Sequence, residues 1–141
     1  MSQLQRAIDI AEAAHRGQTD KTGKPYIEHC RRVAEAVSSR DEKIVAYLHD
    51  TLEKGHGWSA ERLREADFSR HIVSAVEALT RHSGEKEDAF IRRAASNKLA
   101  RPVKLADLRD NLQQSRKAGM PTQRYEDGLR LLQAEFDVSA A

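Results

Sequence analysis

Apolar residues recur three and four positions apart along nearly the whole chain, and the strict alternation that builds half-buried strands is almost absent. That period matches the 3.6 residues of a helical turn, so the chain is committed to packing amphipathic helices. Ala, Leu, Arg and Glu dominate, which favours helices. The three prolines and seven glycines fall mostly between the periodic stretches, where they mark breaks. The spacing predicts helices over about 4–15, 25–37, 41–54, 59–65, 69–79, 85–96, 102–117 and 122–136. Pro25 and Pro102 stand where first helical turns begin, and Gly17, Gly55 and Gly119 follow helix ends. The expectation is an all-α fold, a bundle of about seven to eight helices. With 141 residues, it is expected to form one domain over 1–141, with its core at about 4–136.

Charge narrows the partners. The 24 Lys+Arg and 22 Asp+Glu are interleaved and leave a formal net charge of only +2, so nothing demands nucleic acid or an anionic membrane. A small anion can still be held by a few local cations. No apolar run approaches the roughly 20 residues that span a bilayer, and the N-terminus lacks a signal-peptide pattern. The one cysteine, Cys30, excludes an internal disulfide and suits a reducing compartment. A cytoplasmic location is expected.

The third predicted helix carries the first chemical signal. Ile44, Val45, Leu48 and Leu52 share one apolar arc, and His49, Asp50 and Glu53 occupy its neighbour, with Glu53 four residues from His49 and three from Asp50. Polar groups beside a core stripe are costly to bury unless something compensates them, and a cation does so well. The seventh helix repeats the design. Leu105, Leu108 and Leu112 form its apolar stripe, with Lys104, Asp107 and Asn111 together on an adjacent face. His29 comes about one turn into the second helix. Two imidazoles and two carboxylates can therefore converge on one divalent metal, with positions left open for water and substrate. A lone His-Asp dipeptide is common by chance, and a lone His29 is more often a packing histidine. The specificity lies in the combination.

These residues carry a family resemblance. Ala14-His15-Arg16-Gly17-Gln18, Gly23-Lys24-Pro25-Tyr26-Ile27-Glu28-His29, Leu48-His49-Asp50-Thr51-Leu52-Glu53 and Val103-Lys104-Leu105-Ala106-Asp107 with Asn111 resemble, in that order, the hydrolase domain of RelA/SpoT-type proteins. In kind the chain resembles the stand-alone small alarmone hydrolases, within the HD-domain phosphohydrolase superfamily. The resemblance implies an HD-domain helical bundle with His29, His49, Asp50 and Asp107 as metal ligands. Manganese would be the usual ion, with zinc, iron or another divalent ion as alternatives. It implies Glu53 and Asn111 as the pair that positions and activates water. The substrate would be a phosphorylated nucleotide, with pyrophosphate removed from the 3′ position of guanosine tetraphosphate (ppGpp). No synthetase domain follows, so hydrolysis without synthesis is the expected activity.

Lys104, beside Asn111, and Lys21, in the loop before Pro25, can offset phosphate charge, although a snorkelling lysine explains Lys104 equally well. Tyr125 on the last helix matches a family tyrosine near the substrate. Two positions depart from the alarmone-hydrolase pattern. Lys54 follows the expected catalytic glutamate where a second acid is usual, and Asp20-Lys21 stands where a basic pair is usual. These departures keep open another nucleotide substrate, such as a nucleoside monophosphate or NADPH, and a helical module that binds a nucleotide without turning it over. His15 is expected to pack or brace a loop, and His56, His71 and His82 to lie at the surface. Cys30 is read as a buried filler and Trp58 and Phe68 as packing residues, while Arg81 and Lys86 could reach phosphate but are read first as parts of a solvated connector.

Overall fold

In the computed structural model, which describes residues 2–136, serines set several of the helix starts. Ser2 accepts from the Gln5 N–H ahead of α1 (Gln3–Ala14) and Ser59 from the Arg62 N–H ahead of α4 (Ala60–Glu65). Ser39 exchanges hydrogen bonds with Glu42 in a capping box that opens α3 (Arg40–Leu48). The other helices are α2 (Ile27–Glu35), α5 (Arg70–Ala78), α6 (Glu87–Ser96), α7 (Ala100–Ala118) and α8 (Gln123–Phe136), making eight among the described residues. Extended pairing among the described residues is limited to an isolated bridge between Thr19 and Pro25. The all-α expectation holds, and no described helix is long and apolar enough to cross a membrane.

All boundaries but the end of α3 fall within two residues of those the periodicity predicts, and the shifts have local causes. Pro25 does not open α2. It closes the 19–25 loop, and its carbonyl accepts from the Glu28 N–H at 3.0 Å. α7 starts two residues early because the Asn97 side chain accepts from the N–H groups of Leu99 (3.0 Å) and Ala100 (2.9 Å). Pro102 then falls in the first turn, where its missing N–H costs nothing. Gly119 ends α7 in the left-handed conformation, with φ of 68°. The largest departure is α3, which stops at Leu48 rather than running to 54.

α3 is the central element. Its Ile44, Val45, Ala46 and Leu48 are buried, and it packs against α1, α2, α5 and α7. The main core joins apolar residues of α1 to α5 with Ala100, Val103 and Ala106 from α7. Phe68 lies in this core and Trp58 packs on its edge, while Cys30 is buried as a free thiol. A second cluster, built from Ile91, Ala95, Leu108, Leu112, Tyr125 and Leu132, ties α6, α7 and α8 together. α7 belongs to both cores, so a side chain on the wall between them is held from two sides.

Candidate metal centre

Three of the expected ligands reach one point from separate helices. His29 lies in the first turn of α2, His49 caps the C-terminal end of α3, and Asp107 sits midway along α7. Asp50 follows His49 in the turns beyond α3. All four are buried, and one ligand atom from each lies within 4.8 Å of the others. His29 Nε2 is 3.1 Å from Asp107 Oδ1 and 3.7 Å from Asp50 Oδ2. His49 Nε2 is 3.1 Å from Asp50 Oδ2 and 3.2 Å from Asp107 Oδ1.

The end of α3 brings neighbours His49 and Asp50 to the same point. Side chains take over carbonyls where the helix stops, with His49 Nδ1–H donating to Ala46 O (2.6 Å) and the Thr51 hydroxyl to Leu48 O (2.7 Å). This bond also places the proton on His49 Nδ1 and leaves Nε2 as the ligand nitrogen. His29 is fixed in the same sense by a carboxylate, its Nδ1–H donating to Asp110 Oδ2 (2.6 Å). Asp110 in turn accepts from Arg32 Nε (2.7 Å) and Gln114 Nε2 (2.7 Å). Tyr26 donates its hydroxyl to Asp50 Oδ2 at 2.5 Å, and its ring stands between those of His15 and His29.

The donor set fits a divalent ion. Bonds of about 2.1 Å hold neighbouring ligand atoms roughly 3.0–3.4 Å apart, and three of the four imidazole–carboxylate distances fall there. Two buried carboxylates also need cationic compensation. Burial disfavours the imidazolium of His29, yet hydrogen bonds to Asp107 and Asp110 outweigh it and raise the pKa. His49 is raised well above its ordinary value against the same burial cost, through Asp50 and Asp107. Burial would raise Asp107, but Lys104 and the two imidazoles hold it well below the usual carboxylate range. The two carboxylates therefore favour the protonated imidazoles, and a divalent ion would compete with those protons for the same nitrogens.

The remaining expected residues surround this cluster. Asn111 directs its amide N–H groups to Asp107 O and Oδ1, both at 3.0 Å, and its carbonyl accepts from Lys21 Nζ at 2.5 Å. Lys21 also stands 5.0 Å from the centre of the buried Tyr125 ring. Lys104 is buried, with Nζ 3.3 Å from Asp107 Oδ2 and 4.4 Å from the Phe90 ring centre. Glu53 is not gathered into the ligand cluster as a continuous third helix would require. It lies exposed at the mouth of the same cleft, its Oε1 accepting from the Arg81 N–H at 3.0 Å. Arg81 therefore belongs to the cleft wall, where it pairs with Glu87, and not to a solvated connector. Sequence reasoning missed Asp110, Arg32, Gln114 and the Tyr26 hydroxyl. The available signal was a charged residue three positions after a ligand, twice over: Arg32 after His29 and Asp110 after Asp107.

His15 is buried, and its Nδ1 bonds Gln18 Oε1 at 2.8 Å in a bracing role. His56, His71 and His82 are exposed. Asp20 is buried within its own loop, where it accepts from Thr22, Lys24 and Arg32. Lys54 approaches the Tyr26 hydroxyl at 3.4 Å. The cavity directly over the ligands holds about 60 Å³, room for a few waters. A recess of about 580 Å³ adjoins it and shares Lys54 and Asn111.

Comparison with known proteins gives a consistent picture. A family model described as HD domain matches residues 7–120. Over 128 residues the chain is 31% identical to a probable GTP pyrophosphokinase of Mycobacterium leprae, a match covering 82% of this chain and 16% of that one. Over 85 residues it is 35% identical to a GTP pyrophosphokinase of Streptomyces coelicolor, covering 57% of this chain and 10% of the other. The chain thus spans about a sixth or less of these curated relatives. Among solved structures it is similar to a metazoan ortholog of SpoT, described as hydrolysing ppGpp and playing a role in starvation responses. The TM-score is 0.77 at 21% identity, covering 94% of this chain and 84% of the other.

Proposed function

This chain belongs to the HD-domain family, and on that premise we propose that it is a metal-dependent phosphohydrolase acting on a phosphorylated nucleotide. The proposed reaction converts ppGpp to GDP and pyrophosphate. The observation that carries the reading is the meeting of two imidazole nitrogens and two carboxylate oxygens within 4.8 Å, with Asn111 and Glu53 in the same cleft. His29, His49, Asp50 and Asp107 would hold the ion, with Mn²⁺ as the expected species. When bound, such an ion acidifies water and polarises a phosphoryl oxygen.

The chain's own groups supply the rest. Water adds to the phosphorus attached to the ribose 3′ oxygen, Glu53 takes its proton, and that proton is returned to the 3′ oxygen as the P–O bond breaks, which restores the carboxylate. Asn111 keeps Asp107 Oδ1 in place through its amide. Lys21, Lys104 and Tyr125 line the substrate side, where the two ammonium groups offset phosphate charge. The small cavity over the ligands suits the reacting phosphate, and the adjoining recess suits the nucleoside. The solved relative described as hydrolysing ppGpp supports this substrate. The pyrophosphokinase names belong to proteins of which this chain matches a small part.

The test is release of pyrophosphate from ppGpp by the purified protein with Mn²⁺. His49→Ala and Asp107→Ala should each abolish it, and full turnover by either variant after metal removal would defeat the scheme. A second reading keeps the chemistry and changes the nucleotide, to a nucleoside monophosphate or NADPH for example. It is favoured by Asp20, whose carboxylate is consumed inside its loop and offers no cation to lie on a guanine base. A panel of phosphorylated nucleotides assayed side by side separates the two readings, since exclusive turnover of ppGpp removes the second.

A further inference from the structure

A larger cavity, about 810 Å³, lies behind the candidate centre. It is walled by the opposite face of α7, the end of α2 and the loop that carries Lys21 and Lys24. At about 100° per residue, Leu105, Arg109, Gln113 and Lys117 point away from the face bearing Lys104, Asp107 and Asn111. The volume falls in the range of small-molecule sites. Its floor is apolar, from Ala36, Val37, Pro102, Leu105 and Ala106, and its cations are Lys24, Arg32, Arg109 and Lys117, the Lys21 ammonium being turned to Asn111.

Among the described residues two acids face it, and both are already engaged. Asp110 accepts from His29, Arg32 and Gln114, while Glu42 accepts from the backbone N–H groups of Ser38 and Ser39. The cavity thus joins positive potential to a small apolar floor. That combination suits an anion with an apolar body.

We propose that this groove is a second binding site, for a phosphorylated small molecule of nucleotide size, and that its occupancy is felt at the metal centre through Arg32 and Asp110. The connection is direct. Arg32 lines the groove and holds the carboxylate that fixes His29 Nδ1. A phosphate drawn to the guanidinium competes with Asp110 for it, which alters the bond orienting His29. A second route runs through Gln114, which accepts from the Lys21 N–H at 3.0 Å and donates to Asp110 at 2.7 Å. The communication rests on the metal-centre reading of His29, whereas the binding does not.

Nuclear magnetic resonance on the full chain, with metal removed, tests both halves. GDP and, separately, inorganic pyrophosphate are titrated into labelled protein. The expected result is saturable shifts at the Gln113 and Lys117 amides. Binding should weaken at least tenfold in a Lys24→Gln, Lys117→Gln double variant whose circular dichroism matches the parent. Tighter binding of GDP than of pyrophosphate would support use of the apolar floor, and equal binding would overturn that part, leaving phosphate as all that is read. The His29 Nδ1–H resonance should move in step with Gln113, and a stationary signal overturns the communication while keeping the site. Shifts confined to Lys104 and Asn111, or unchanged affinity in the double variant, overturn the site itself. No turnover is measured, so the outcome is independent of the hydrolase assay.

Discussion

His29 Nδ1 faces Asp110 at 2.6 Å, and that contact decides which nitrogen remains for an ion. Carboxylate partners of this kind set ring orientation and ligand basicity, and their loss typically costs 10–100-fold in metal affinity. Asp110→Asn should therefore weaken binding of Mn²⁺ by about that factor with the fold retained. Metal-titration calorimetry checks this, and an unchanged affinity would remove Asp110 from the centre. The clustering of His29, His49, Asp50 and Asp107 was legible in the sequence because each sits beside an apolar stripe in a recognisable order. Asp110 and Arg32 were not, because their pairing joins positions 78 residues apart and each alone looks like an ordinary charge on a helix surface. Glu53 was only half legible. Its spacing from His49 was sound for a continuous helix, and the helix does not continue.

At the scale of elements, the end of α3 is the instructive case. Residues 41–54 have the composition of a helix, so periodicity extends it to 54. What stops it is local competition for carbonyls by the His49 ring and the Thr51 hydroxyl, a side-chain choice that apolar periodicity does not encode. The turns that follow are pressed against α1. A Cβ on Gly55 would stand 2.6 Å from Thr51 O and 2.9 Å from the Ala14 Cβ. Both are closer than van der Waals contact permits, and the first belongs to backbone. Gly55→Ala should cost about 1–3 kcal/mol, measured by urea unfolding, and should weaken metal binding by displacing Asp50. Stability equal to the parent would show that this segment has slack. Helix starts fall within two residues of the periodicity, but their caps Ser2, Ser39 and Ser59 went unread, because proline and glycine mark the breaks instead.

For the whole molecule, the centre ties stability to pH and metal together. The folded pKa values of His29 and His49 lie above their ordinary 6.5. Their contribution to stability is complete below that value and is lost as pH rises through the folded values. Asp50 and Asp107 are depressed from 3.8, so theirs is present above it and lost as pH falls through the folded values. Metal-free protein should melt at a lower temperature near pH 9 than near pH 6. Mn²⁺ at about 100 times its dissociation constant should add about 2.7 kcal/mol and reverse that trend, because an ion takes the place of the displaced protons. Thermal melts with chelator and with Mn²⁺ at both pH values test this, and parallel curves would sever the linkage. The helical class was legible from periodicity, whereas the division into two apolar clusters was not, since it depends on which helices meet.

Three of the four clustered side chains precede the exposed turn at Ser83 and Gly84, and Asp107 follows it. An ion held there is a rivet between two lengths of chain. Were a protease to nick that turn, the halves should travel together through a sizing column with Mn²⁺ and drift apart once a chelator is added. Co-elution in both buffers would mean that packing alone fastens them.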